Sequence, residues 1–156
     1  MLIRKIPSKL VNLFDWVVAF WPSAGGGLYL RRLFWCRRFR HFGRNVCLGD
    51  QITVVGFPNI CIGNDVSIMS GGFLYADDSP GLEIGDDCSF NNNVFVGASG
   101  GKIRIGRNVL IGPNVVLRAS DHAFEDIRVP IRDQGHRYGE IFIEDDVWIG
   151  ANAVIT

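Results

Sequence analysis

From Leu48 onward the chain repeats every six residues. Apolar residues fall at Leu48 and Val54, then at Ile62, Ile68 and Leu74, at Ile84, Phe90 and Val96, at Ile105, Ile111 and Leu117, and at Ile143, Ile149 and Ile155. The residue two places before each is mostly small or branched, as in Ile60, Val66, Cys88, Val94, Val109, Val115 and Val147. Residues two apart on a strand share a face, so each hexad predicts one short strand with both side chains turned inward. The next residue is glycine in seven of the fourteen cases, among them Gly49, Gly63, Gly85, Gly106 and Gly112. A glycine there is expected to permit the turn that follows.

The interruptions of the repeat are as informative as the repeat. Extra residues follow Val54, Leu74, Val96 and Leu117, numbering two, four, three and twenty. Each comes after the third hexad of a set. Three strands therefore make one coil, and every insertion leaves from the same corner. Stacked at the ~4.8 Å strand spacing, such coils bury a continuous apolar column. The expected fold is an all-β parallel β-helix over residues 45–156. An antiparallel sandwich would instead show turn signals every ~8–12 residues and strands of variable length.

Residues 1–44 follow another pattern. Leu10 to Trp21 is an apolar run in which Ser8, Asn12, Asp15 and Ala19 form one small or polar stripe at helical spacing. Pro22 and Gly25–Gly27 end it, and a second helical stretch is expected from Leu28 to Phe42. A twelve-residue helix spans about 18 Å, too short for a hydrocarbon core of about 30 Å. A signal peptide is a poor fit, because Asn12, Asp15 and two tryptophans interrupt the run. Two readings stay open. The α-helical hairpin either lies on a membrane surface, its arginines snorkelling to phosphates, or packs against the rest of the protein.

Charge sharpens this division. The net charge of zero hides a segment 1–44 at +8, with nine basic residues and Asp15 as its one acid, and a remainder at −8. A basic, aromatic-rich segment favours an anionic partner such as a membrane surface. The acidic remainder argues against nucleic acid. Cys36, Cys47, Cys61 and Cys88 contain no C-x-x-C pair, so zinc and redox motifs are absent. Cys88 falls on a core position as a small apolar filler, and a reduced, cytosolic setting is the simplest reading. The 19 glycines, well above the usual ~7%, belong to the repeat.

The segments "IGDDCSFNNNVFVG", "IRIGRNVLIGPNVVL", "SDHAF" and "IEDDVWIGANAVI" resemble the hexapeptide-repeat acyltransferases, most closely the galactoside, maltose and surface-polysaccharide O-acetyltransferases. The resemblance covers roughly 45–156. It implies a left-handed β-helix, a homotrimer with active sites between subunits, and acetyl-CoA as co-substrate. It assigns His122, at the mouth of the longest insertion, as the catalytic histidine. Imidazole as a chemical group suits a base that takes a proton from an attacking hydroxyl. Asp121 or Glu125 is a candidate to orient its ring. Asn91 matches the position that hydrogen-bonds the acceptor sugar, and also fits a turn asparagine. Trp148 matches an aromatic beside the thiol arm of coenzyme A and should point outward. The backbone N–H of Ala151 matches the donor to the tetrahedral oxyanion. An acidic acceptor-binding residue expected near Ser99 is missing. His41 and His136 have no matching role. With His122 they lack the spacing of the zinc-binding carbonic anhydrases of similar fold, so no metal is expected.

These features together predict an acetyl-CoA-dependent O-acetyltransferase acting on a sugar or lipid-linked saccharide at the cytoplasmic face of the membrane. The alternative is a non-catalytic trimeric scaffold. The chain stops at Thr156, one residue past an inward position. Related enzymes continue for further coils that help hold coenzyme A, so C-terminal truncation is expected.

Overall fold

The computed structural model describes residues 8–77 and 81–156, with side chains from Leu13 onward. Ser8 and Asn12 of the expected polar stripe fall outside the described side chains. Helix α1 (Ser8–Phe20) and helix α2 (Gly27–Trp35) come first. Five coils of three strands follow. The first holds β1 (His41–Phe42), β2 (Cys47–Leu48) and β3 (Thr53–Val55). The second holds β4 (Ile60–Ile62), β5 (Ser67–Ile68) and β6 (Phe73–Ala76), and the third β7 (Leu82–Ile84), β8 (Ser89–Phe90) and β9 (Phe95–Ala98). The fourth holds β10 (Lys102–Ile105), β11 (Leu110–Ile111) and β12 (Val116–Arg118). Then β13 (Ser120–His122) and β14 (His136–Tyr138) form a separate hairpin. The fifth coil holds β15 (Glu140–Ile143), β16 (Trp148–Ile149) and β17 (Val154–Ile155).

The fold is a parallel β-solenoid with three faces. Each face is a five-stranded sheet built from one strand of every coil: β1-β4-β7-β10-β15, β2-β5-β8-β11-β16 and β3-β6-β9-β12-β17. Register stacks like on like. Ile62 pairs with Ile84, Ile84 with Ile105, and Ile105 with Ile143. The fourteen hexad residues point inward, and all but Val54 and Ile155 are buried. The insertions leave from the corner between the third and first faces, as their spacing predicted.

The glycines act differently from the expectation. The tight turns between faces are made by residues in left-handed conformation, among them Asp65, Asp87, Asn93, Asn108, Asn114 and Asp146, with φ between 57° and 60°. The hexad glycines sit two residues earlier at most of these turns and face the next coil. A Cβ on Gly85 would stand 2.5 Å from the Gly106 carbonyl oxygen, and one on Gly63 2.7 Å from the Gly85 carbonyl carbon. They are glycines because the coils touch there, while Asn and Asp, which tolerate positive φ, carry the turn.

The helices close the first coil. Val18 and Ala19 of α1, Trp35 of α2 and Phe39 join the same hydrophobic core as the coils. The second helix stops at Trp35 rather than running to Phe42. Arg38 N–H donates to the Trp35 carbonyl at 2.9 Å, Phe39 turns into the core against Phe57, and Phe42 enters the first face. Arg31, expected among the phosphate-seeking arginines, is instead fully buried. Its Nε donates to the Leu48 carbonyl at 2.6 Å, Nη1 to the carbonyls of Val18 and Trp21, and Nη2 to Ser23 Oγ. One guanidinium thus ties the end of α1 to the edge of the first coil. The Ser70 hydroxyl, the Asp50 backbone N–H and the Ser23 hydroxyl, in that order, hold the Asp50 carboxyl below the usual range.

Candidate active site

His122 stands at the end of β13, outside the solenoid wall. The long insertion is a built hairpin: β13 and β14 pair antiparallel, with Ser120 opposite Tyr138, Asp121 opposite Arg137 and His122 opposite His136. The imidazoles of His122 and His136 lie 4.3 Å apart between centroids and 37° from parallel. His136 is stacked in turn on Tyr138, at 6.3 Å. Tyr138 rests on the backbone of the third coil, where a Cβ on Gly100 would fall 2.2 Å from its ring. The three rings form a column from the wall of the solenoid out to His122.

Farther along, the insertion is held by its own side chains. The Gln134 amide donates to the carbonyls of Asp126 and Val129 and accepts from the Asp126 N–H. Glu125 is paired with Arg137. Among the described residues no carboxylate hydrogen-bonds the His122 ring, so its observed neighbour is His136. The residues around this stretch expose apolar side chains: Phe124, Ile131 and Ile127, which is 98% exposed.

The other assigned residues lie elsewhere on the chain. Asn91 follows β8 at the corner between the second and third faces. Its Oδ1 accepts from the Asn92 N–H at 2.8 Å, and its Nδ2 has no hydrogen bond among the described residues. Ala151 occupies the same corner two coils on, about 10 Å away at the strand spacing. Trp148 stands on the outer surface of the second face, 77% exposed and in register with the exposed Leu110. Asn91, Trp148 and Ala151 therefore share one edge of the solenoid. The hairpin bearing His122 leaves from a different corner, across the third face. One chain does not bring these four residues together.

A carboxylate does stand beside Ser99, delivered from the coil before. Asp77 Oδ2 accepts from Ser99 Oγ at 3.0 Å and from the Tyr75 hydroxyl, and Oδ1 accepts from the Gly100 N–H at 2.7 Å. Burial opposes ionisation, but these bonds outweigh it and hold the Asp77 carboxyl below its usual range. The offset of 22 residues is one coil. That coil length is the signal by which the sequence could have yielded Asp77. His41 lies in the first coil, away from the histidine pair. Among the described residues no cluster of three or more His, Cys, Asp or Glu could hold a metal ion.

Comparison with known proteins places this architecture. No known protein-family profile matches the chain. The Saccharomyces cerevisiae protein YJL218W, which carries the provisional name of an acetyltransferase, is 37% identical over 83 residues. That match takes in 53% of this chain and 40% of the yeast protein. Among solved structures, the N-acyltransferase AntD of Bacillus cereus, crystallised with dTDP and 3-hydroxybutyryl-CoA, superposes with a TM-score of 0.66 at 18% identity. It covers 87% of this chain and 69% of AntD. A variant of AntD holds dTDP-4-amino-4,6-dideoxyglucose and coenzyme A. The hexapeptide-repeat acetyltransferase VCA0836 of Vibrio cholerae, with acetyl coenzyme A, superposes with a TM-score of 0.52 at 22% identity over 95% of this chain and 68% of that one. The chain thus has the hexapeptide-repeat β-solenoid fold found in these CoA-binding acyltransferases.

Proposed function

We propose that the protein is a CoA-dependent acyltransferase that moves an acetyl group to a hydroxyl of a sugar or lipid-linked saccharide, with His122 as general base. The observation that carries this reading is the hairpin. It spends a long insertion and two stacked rings on presenting one imidazole outside the wall of a fold whose solved examples hold coenzyme A. In the reaction, the His122 imidazole takes the proton of the acceptor hydroxyl as its oxygen attacks the thioester carbonyl carbon. The Ala151 N–H donates to the resulting oxyanion. Collapse forms the ester and breaks the carbon–sulfur bond, and the departing thiolate recovers the proton from the imidazolium.

Because His122 and the edge carrying Asn91, Trp148 and Ala151 stand on different corners, this reading requires a second chain. A cyclic trimer would set the hairpin of one subunit against that edge of the next. The exposed Phe124, Ile127 and Ile131 suit burial in that contact. The reaction would take place at the cytoplasmic face of a membrane, where a lipid-linked saccharide is presented.

The experiment follows thiol release from acetyl-CoA with saccharide acceptors. His122→Ala is expected to lower turnover by about 10²–10⁴-fold with its melting temperature unchanged. Unchanged turnover would sink the assignment. AntD is named an N-acyltransferase, so the acceptors should include amino sugars. An ester product supports the hydroxyl reading, and an amide product replaces it.

A further inference from the structure

The outward side of α1 is built the wrong way round for a helix facing water. Leu13, Phe14, Trp16, Val17, Phe20 and Trp21 are all exposed, between 41% and 59%. At 100° per residue these six positions cover about 160° of the helix surface. The opposite side carries Val18 and Ala19, both buried, and Asp15. Asp15 turns inward, where it accepts from Trp35 Nε1 at 3.3 Å and pairs with Arg38. Among the described side chains from Leu13 to Trp21, the only charge is therefore paired on the inner side and every outward group is apolar. A surface helix ordinarily shows the reverse, and one that is apolar all round is normally covered. The face extends onto α2, where exposed Phe34 packs edge-on against Phe14 at 4.8 Å and Leu33 lies alongside in sequence.

We infer that this face is a docking surface for an anionic phospholipid leaflet. Three observations select a membrane. The composition is interfacial: Trp16 stacks on Phe20, and Trp21 and Tyr29 are exposed nearby, the residue types that favour the boundary between headgroups and acyl chains. The charge is complementary, since Arg37, Arg40 and Arg44 are exposed while the one acid of the segment, Asp15, is paired with Arg38. The length fits lying in the plane, because thirteen residues reach about 20 Å and no described helix is long and apolar enough to cross. The apolar outer face would sink to the acyl boundary while Val18, Ala19 and Arg31 keep the helix fastened to the first coil. This deepens the proposed function by saying what holds the solenoid at a membrane, and it stands on different residues from the chemistry.

Vesicle flotation of the full chain tests it. Vesicles containing phosphatidylglycerol should carry the protein upward, phosphatidylcholine alone should carry much less, and added salt should release it. Replacing Trp16→Glu and Phe20→Glu together should lower partitioning by about tenfold per residue. Both side chains are half-exposed at the rim of a groove shared with Trp35, Ile52 and Phe57, so the melting temperature is measured beside the partitioning. The wild-type comparison of the two lipids needs no variant and stays decisive if the double variant misfolds. Equal flotation with both lipids overturns the anionic assignment. Flotation with neither overturns the proposal, and a drop in sedimentation mass on Trp16→Glu would then give the face to a second copy. Acetyl transfer measured without vesicles reports separately on His122, so the two failures are distinguishable.

Discussion

Arg31 shows how far a residue's role can lie from its composition. In the sequence it is one of nine basic residues in a segment expected to face an anionic partner. In the fold it is fully buried and donates to three carbonyls and a hydroxyl. Burial pulls its guanidinium below the ordinary arginine range, and the Asp50 charge partly opposes that pull. A forked, planar donor can meet the Leu48, Val18 and Trp21 carbonyls together, whereas an ammonium on a flexible stem cannot hold all of them. Arg31→Met is expected to cost about 3 kcal/mol or more, because it strands buried acceptors that had a charged donor. Arg31→Lys should fall closer to Met than to the wild type. Urea denaturation measures both. Equal midpoints for wild type and Arg31→Met would mean that the helices close the first coil without this residue. Nothing in local spacing separates Arg31 from Arg32, so its burial was not legible. It depends on Leu48, seventeen residues away.

At the scale of the element, the hexad was legible because it repeats one local rule. A strand, a turn and a small residue recur, and each copy confirms the others. The inward residues and the corner of the insertions followed from counting alone. The reason for the glycines did not, because it lies in the neighbouring coil and not in the turn. This difference is measurable. Gly85→Ala places a Cβ 2.5 Å from the Gly106 carbonyl oxygen, where only backbone could give way. It should destabilise by about 1–3 kcal/mol, as overpacking does. Gly139→Ala meets nothing within 4 Å and should stay close to wild type. If the two variants unfold at the same urea concentration, coil contact does not explain the glycines. The histidine pair was hidden for a related reason. His136 lies fourteen residues beyond His122, inside an insertion without periodicity, and only the β13–β14 register brings the rings together. The end of α2 departs from the expected Phe42 because Phe39 and Phe42 keep helical spacing, while one enters a turn beneath Phe57 and the other a strand.

For the whole molecule, what matters is that the assigned residues divide between two corners. A solenoid fixes its corners rigidly, since each coil is bonded to the next along all three faces. The hairpin does not cross the third face to Asn91 and Trp148, and Tyr138 seats it against Gly100. Under the proposed function that rigidity calls for a site shared between chains, which complementation tests. His122→Ala removes only the hairpin half of each site. Asn91→Ala with Trp148→Ala removes only the edge half. Each protein alone should be inactive. When they are denatured together, refolded and mixed in equal amounts, a cyclic trimer has about one quarter of its sites built from an intact hairpin and an intact edge. Acetyl transfer should return to about that fraction of the wild-type rate, while separate refolding before mixing should restore nothing until subunits exchange. Recovery depends on one chain lending a residue to another, so a fold that worked as a single chain could not produce it. If the co-refolded mixture forms mixed oligomers and stays inactive, His122 and the Asn91 edge do not belong to one site. The catalytic assignment would then have to be rebuilt around the histidine pair and the Asp77 carboxylate, both of which stand at the corner between the third and first faces.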